Sequence, residues 1–186
     1  MIRPLYFHNP NQEGFEAIIK HLHSKNYKFI SIEELYSRLE KNDTKGKLAY
    51  ISFDDGWQGN LKLIPIIEKY NVHITIFIAV NPIMSGNFWW EFVAKKVGYT
   101  QMQNFKNLPH DEFESQLKKI KTEVADLQRS AMTIDELETI TKHPLISIQS
   151  HTINHPILTK LPDDLLDFEL SESQKQLEKI TGKSIF

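Results

Sequence analysis

The 186-residue sequence contains no cysteine, and this absence narrows the sites that it can form. Without thiols there is neither a disulfide framework nor a thiolate metal site, so any metal ligands must come from histidine, aspartate or glutamate. The absence of disulfides also suits a reducing compartment.

The sequence also lacks the long apolar runs that a membrane protein needs. No stretch of about 18 apolar residues is present, and Met1–Pro10 has neither the basic start nor the apolar middle of a signal peptide. We therefore expect no transmembrane segment and a cytoplasmic location. Export stays open if an N-terminal segment has been removed.

An excess of either charge is missing too. Lysine and arginine total 22 against 24 aspartates and glutamates, a net charge of −2, and the lysines are interleaved with acids. This pattern offers no electrostatic footprint for a phosphate backbone, so we expect no nucleic-acid partner.

What the sequence does contain is an alternation of strand and helix patterns. Apolar runs rich in Ile, Phe, Tyr and Val predict strands at Ile2–Phe7, Lys28–Ser31, Leu48–Phe53, Val72–Val80 and Leu145–Ser150. Helical spacing and capping signals predict helices at Phe15–Leu22, after Ser31/Glu34, at Asp111–Leu127, after Thr133/Glu136 and at Asp164–Ile180. This order predicts an α/β fold of parallel βαβ units, with chemistry at the carboxyl ends of the strands. We expect one domain over residues 1–186, with a helical insertion at about 81–131.

The stretch "SFDDG" places Asp54 and Asp55 at such a strand end. Neighbouring strand side chains point to opposite faces, but Gly56 permits a sharp departure that could bring both acids to one pocket. One acid could then bind a metal ion while the other takes a proton from water. Aspartate and glycine also favour ordinary turns, so the motif alone is weak.

The stretch "SHTINHP" follows the strand Leu145–Ser150. His151 and His155 are four residues apart, a spacing that would bring both imidazoles to one side of a helical turn. Together with one aspartate they would make three protein ligands for a zinc-like ion with an open position. Two histidines at this spacing are otherwise often simply solvated.

Taken together, "SFDDG" and "SHTINHP" resemble the first two signature motifs of the polysaccharide deacetylases, the NodB-homology domain of carbohydrate esterase family four. The flanks "YFHNP", "NLKLIPIIEKYNVHITIFIAV" and "LTKLPDDLLDFELSESQKQLEKITGKSIF" resemble the family as well. The resemblance implies that Asp54 is the general base, that Asp55, His151 and His155 are metal ligands, and that the Thr152 hydroxyl helps to hold the site.

Four further residues are candidates for substrate binding. Trp57, Trp89 and Trp90 could stack on a sugar ring, although aromatic residues in such places often only pack. His8 in "YFHNP" is either an active-site neighbour or a histidine satisfied at a strand end.

The resemblance implies a deformed (β/α)7-type barrel, of which the sequence provides five strands and a candidate sixth at Lys183–Phe186. The family's later motifs, including a Leu-x-His that supplies the general acid, have no counterpart here. We therefore expect the N-terminal two-thirds of such a domain, which would self-associate or pair with its missing C-terminal piece.

The function that we expect is metal-dependent removal of N-acetyl groups from N-acetylated sugars or polysaccharides. Zinc is the first choice of metal, and cobalt, nickel or iron would suit the same ligands. One alternative is a hydrolase of the same fold that cleaves another non-peptide C–N bond, such as that of a small cyclic amide. The other is a catalytically silent domain that binds a sugar or a partner, which the missing general acid suggests.

Overall fold

The computed structural model describes residues Met1 to Phe186 as one parallel sheet surrounded by helices. The strands are β1 (Ile2–Phe7), β2 (Lys28–Ile30), β3 (Leu48–Phe53), β4 (Ile74–Ile78) and β5 (Ile146–Ser150). The α-helices are α1 (Gln12–Ser24), α2 (Ile32–Glu40), α3 (Ile64–Lys69), α4 (Val80–Ser85), α5 (Trp89–Val97), α6 (Tyr99–Phe105), α7 (His110–Glu123), α8 (Ile134–Thr141) and α9 (Asp163–Thr181). Two 3-10 helices cover Gln58–Leu63 and Leu158–Lys160. The predicted α/β fold is confirmed.

The strand β3 is the centre of the sheet. It pairs with β1 along its whole length, while its other edge is shared by β2, which pairs with Leu48–Tyr50, and β4, which pairs with Ile51–Phe53. All six residues of β3 are buried, as expected for a parallel strand covered on both faces. The carboxyl end of β3, from which the next residues leave the sheet, is therefore held between β1 and β4.

The two ends of the sheet are β1 and β5, which do not pair with each other. The candidate sixth strand at Lys183–Phe186 is wrong, because this segment is irregular. Its Ile185 side chain is buried, and the backbone N–H of Phe186 donates to the side-chain Oε1 of Gln149 at 2.9 Å. The last residues are therefore attached to β5 through a side chain and not through strand pairing.

The capping signals in the sequence locate the starts of two helices. Thr133 and Glu136 form a complete capping box at α8, with hydrogen bonds of 3.1 and 2.8 Å. At α2 only half of the predicted box forms, because Ser31 accepts from the Glu34 N–H while the Glu34 carboxylate binds Lys28 instead. The helix predicted to reach Leu127 ends earlier, at Glu123, because the next residue is extended.

Three apolar clusters hold the chain together, of which one is a small group of Ile30, Leu48 and Tyr50. The main core packs the sheet against the surrounding helices, while a smaller cluster lies among α5, α6 and α7 within the segment predicted as an insertion. The smaller cluster consists of Trp89, Val93, Met102, Phe105, Phe113, Leu117 and Ile120. Since Trp89 belongs to this cluster, the packing of these helices fixes the aromatic wall described below. No helix has the length and apolar character needed to cross a bilayer.

Candidate metal centre and cleft

The acid pair lies where β3 leaves the sheet. The N–H of Asp54 still bonds to the carbonyl of Phe7 in β1 at 2.8 Å, and the chain then turns through two residues with positive φ, Asp55 (77°) and Gly56 (91°). A Cβ on Gly56 would lie 2.9 Å from Cδ1 of Ile78, so only glycine fits there without displacement. This turn directs the Asp55 side chain into the interior, where it is 1% exposed.

The two histidines lie on an irregular loop after β5, which corrects the predicted helical turn. Thr152 and His155 both have positive φ, at 70° and 56°, so the segment cannot follow a right-handed helical path. The loop is instead fixed by backbone hydrogen bonds, among them one from the His151 N–H to the carbonyl of Ile78 at 2.8 Å. The imidazoles meet because of this loop, and not because of helical spacing.

Asp55, His151 and His155 form a compact cluster although they are distant in sequence. Their donor atoms all lie within 4.8 Å of one another, with Oδ1 of Asp55 3.1 Å from Nε2 of His155 and 3.5 Å from Nε2 of His151. Ligands about 2.0–2.1 Å from a tetrahedral zinc ion are separated by about 3.3 Å. Oδ1 is buried and accepts no hydrogen bond from the protein, so a cation bound between these donors would give this oxygen a partner.

The electrostatics of the cluster favour metal-binding protonation states at His151 and Asp55. Burial, together with the charge of neighbouring His155, lowers the pKa of His151 to about 4, so this imidazole is neutral at physiological pH. Burial opposes ionisation of Asp55, but His155 and Trp57 outweigh it and hold the pKa of this carboxyl below its usual value. A neutral imidazole and a carboxylate are the forms that bind a divalent ion.

Asp54 is in a different state from its neighbour. Burial and the nearby Asp55 carboxylate raise the pKa of Asp54 above its usual value, against the opposing influence of His8 and His155, and no hydrogen bond contributes to the shift. The side chain is half-buried, while Asp55 receives a 2.9 Å hydrogen bond from Nε1 of Trp57. The two adjacent acids therefore differ: no hydrogen bond engages the Asp54 carboxylate, whereas one oxygen of Asp55 is held by Trp57.

A cleft of about 290 Å³ opens beside the cluster. Asp55 and His155 form part of its wall, and all three candidate tryptophans and His8 line it. The Trp89 indole donates to the carbonyl of His155 at 3.0 Å, and the Trp90 ring lies 4.9 Å from the His155 ring. The candidate substrate residues are thus brought together, whereas Asp54, His151 and Thr152 are not part of the cleft lining.

Two polar side chains fix the histidine loop by accepting hydrogen bonds from its backbone N–H groups. Oγ1 of Thr152 accepts a 3.0 Å hydrogen bond from the His155 N–H. Glu169 of α9, which is 6% exposed, accepts from the N–H groups of Ile153 and Asn154 at 2.8 and 2.9 Å. The sequence analysis did not predict a role for Glu169. The available signal was its position on the buried side of α9, where Glu169, Ser173 and Leu177 follow one another at four-residue spacing.

A second set of lining residues was also missed by the sequence analysis. Helix α6 contributes Tyr99, Met102 and Gln103 to the cleft, and Lys106 follows directly after the helix. No motif marks these residues. Their position depends on how α6 packs against α5, which sequence spacing does not reveal.

A carboxylate and two imidazoles at the carboxyl ends of parallel strands, beside an open cleft, define a candidate hydrolytic metal centre. The chain belongs to the polysaccharide deacetylase family, a family of hydrolases, because the family's sequence model matches residues 41–185. YxkH of Bacillus subtilis strain 168, which is assigned to the same family, is 24% identical over 173 residues that cover 92% of this chain. The chain spans 46% of the length of that relative.

Solved structures share the fold. The Streptococcus pyogenes deacetylase PplD superposes with a TM-score of 0.67 and 18% identity, covering 100% of this chain and 70% of that one. BC0361, a polysaccharide deacetylase from Bacillus cereus, superposes with a TM-score of 0.65 and 20% identity, covering 100% of this chain and 49% of that one. IcaB from Ammonifex degensii superposes with a TM-score of 0.68 and 14% identity, covering 99% of this chain and 71% of that one.

Proposed function

We propose that this chain carries the metal centre and the base of a hydrolase that removes N-acetyl groups from N-acetylated sugars or polysaccharides. The observation that carries the proposal is the convergence of Asp55, His151 and His155 beside the unpaired carboxylate of Asp54. Membership of the family and the aromatic cleft support a carbohydrate substrate.

Asp55, His151 and His155 would hold one divalent ion, through Oδ1 and the two Nε2 atoms. Zinc suits two imidazoles and one carboxylate, and cobalt, nickel or iron would suit the same donors. When bound, such an ion acts as a Lewis acid on a carbonyl oxygen and lowers the pKa of water. The Trp57 N–H holds the other Asp55 oxygen, so only one of the two carboxylate oxygens faces the imidazoles.

Asp54 serves as the general base in this proposal. Its carboxylate takes a proton from water while the water oxygen bonds to the carbonyl carbon of the acetyl group. The C–N bond then breaks as Asp54 passes that proton to the amine nitrogen, which leaves acetate and the free amine. The tryptophans and His8 border the space in which the sugar ring would lie. Stacking on the aromatic side chains would orient the acetamido group toward the part of the cleft wall that Asp55 and His155 form, next to Asp54.

The test is acetate release from N-acetylglucosamine oligomers by the 186-residue chain loaded in turn with zinc, cobalt, nickel and iron. Release that is abolished by Asp55→Ala supports the proposal. A parallel assay with a cyclic ureide and a binding assay with the same oligomers cover the two alternatives. Ureide hydrolysis without acetate release, or sugar binding with no hydrolysis at all, would overturn the proposal.

A further inference from the structure

One face of α6 borders the cleft with polar and aromatic side chains. Tyr99, Gln103 and Lys106 are spaced i, i+4 and i+7, and Lys106 is still in the right-handed helical region, so the three side chains share one side of the helix. We call this set the α6 face. Met102 and Phe105 point into the smaller apolar cluster, where they are 3% and 7% exposed, and so fix the orientation of the helix.

The chemistry of the α6 face differs from that of the rest of the cleft. Tyr99 is 70% exposed, which leaves its ring free to stack, and Gln103 offers an amide. Lys106 belongs to none of the ion pairs in the structure, whereas Lys96 in the neighbouring helix is paired with Glu123 at 3.0 Å. The only carboxylate that lines the cleft is Asp55, which is engaged with Trp57 and the histidines.

We propose that the α6 face binds an acidic group of the substrate, so that the preferred ligand is an N-acetylated sugar bearing a carboxylate or a phosphate. This inference rests on the proposed function for the placement of the acetamido group. The cleft of about 290 Å³ is close to the lower end of the range for small-ligand pockets, about 300–1,000 Å³, and so suits one sugar residue. Lys106 provides the charge, Gln103 a hydrogen bond, and Tyr99 a stacking surface.

Intrinsic fluorescence provides a direct assay of this cleft. The chain has three tryptophans, and all three line the cleft, so selective tryptophan excitation reports on this site alone. The probes are N-acetylglucosamine, N-acetylglucosamine 1-phosphate and N-acetylglucosaminuronic acid, titrated at low ionic strength. We expect at least one anionic sugar to bind about tenfold or more tightly than the neutral sugar, with the difference shrinking as salt is added. The phosphate and carboxylate arms identify which acidic group is recognised.

Lys106→Gln should abolish the preference for the anionic sugar over the neutral one. Lys95→Gln is the matched control, because Lys95 is an exposed lysine of α5 that does not line the cleft. Equal affinity for neutral and anionic sugars, or a preference that survives Lys106→Gln, would overturn the inference. Acetate release from neutral sugars with equal efficiency would refute the inference and leave the proposed function standing. Selective binding of the anionic sugar without acetate release in the presence of any of the metals would support the inference and refute the proposed function.

Discussion

The indole Nε1 of Trp57 lies 2.9 Å from Oδ2 of Asp55 and donates a hydrogen bond to it. One oxygen of the buried carboxylate is therefore held by the protein, and the other is turned toward His151 and His155. In the proposed metal site, an outer donor of this kind would orient the ligand in advance and so reduce the reorganisation that binding an ion requires.

Trp57→Phe removes this donor and keeps an aromatic ring in the cleft. We expect the dissociation constant for zinc to rise about 10–100-fold, the usual effect of losing an outer-shell partner. Isothermal titration calorimetry measures this change. Trp90→Phe is the control, because the Trp90 indole makes its contacts through the ring. Equal affinities in the two variants would contradict the assigned role of the Trp57 N–H.

His151→Ala tests the ligand set itself. Because one of three converging donors is lost, we expect the binding of one divalent ion per chain to weaken sharply. Calorimetry with zinc and cobalt gives both the affinity and the stoichiometry. His21→Ala, at an exposed position of α1, is the control and should bind the ion with the same affinity as the unaltered chain. Full affinity in His151→Ala would remove the assigned metal centre.

Asp54→Asn separates binding from chemistry. The substitution leaves Asp55 and its Trp57 hydrogen bond in place, so metal affinity should be kept. The rate of acetate release should fall about 10²–10⁴-fold, as expected when a general base is lost. Loss of the metal in this variant would mean that the two aspartates have been assigned in the wrong order.

Glu169→Gln tests the support of the histidine loop. The substitution places an amide where a carboxylate now accepts from the N–H groups of Ile153 and Asn154. We expect the chain to stay folded by circular dichroism while zinc affinity falls about tenfold or more. Glu172→Gln on the same helix makes the same change of charge away from the loop and should have no effect. Unchanged affinity in Glu169→Gln would show that the loop holds its shape without this carboxylate.

Gly56→Ala and Gly98→Ala form a matched pair for the turn after β3. Both glycines have positive φ, at 91° and 85°, so both substitutions carry backbone strain of about 1–3 kcal/mol. Only at Gly56 does the added Cβ meet another atom, at 2.9 Å, whereas Gly98 has nothing within 4 Å. Urea denaturation should therefore show the larger loss of stability for Gly56→Ala. Equal losses would mean that crowding against Ile78 contributes nothing.

Much of the fold could be predicted because its signals are local. The strand pattern at Leu48–Phe53 matches β3 residue for residue, since a strand buried on both faces reads as an uninterrupted apolar run. Thr133 and Glu136 locate the start of α8 through a capping box that needs no tertiary partner.

The parts that sequence spacing could not provide depend on tertiary contacts. The residues His151 and His155 were identified, but the path between them was not, because two positive φ values at non-glycine residues are imposed by surrounding hydrogen bonds. The role of Glu169 depends on the docking of α9 against this loop, and that of Lys106 on the packing of α6 against α5.

Because β3 is paired along both edges, the proposed aspartate ligand and the proposed histidine ligands belong to regions that differ in how easily they unfold locally. Both edges of β3 are hydrogen-bonded to neighbouring strands, so amide exchange should be slowest there, and Asp55 is attached to that slow region. The histidines follow β5, an end strand with one paired edge, and should be released by a smaller fluctuation. At low denaturant the ion should therefore leave through local opening of the histidine loop, while the aspartate side of the site is still folded.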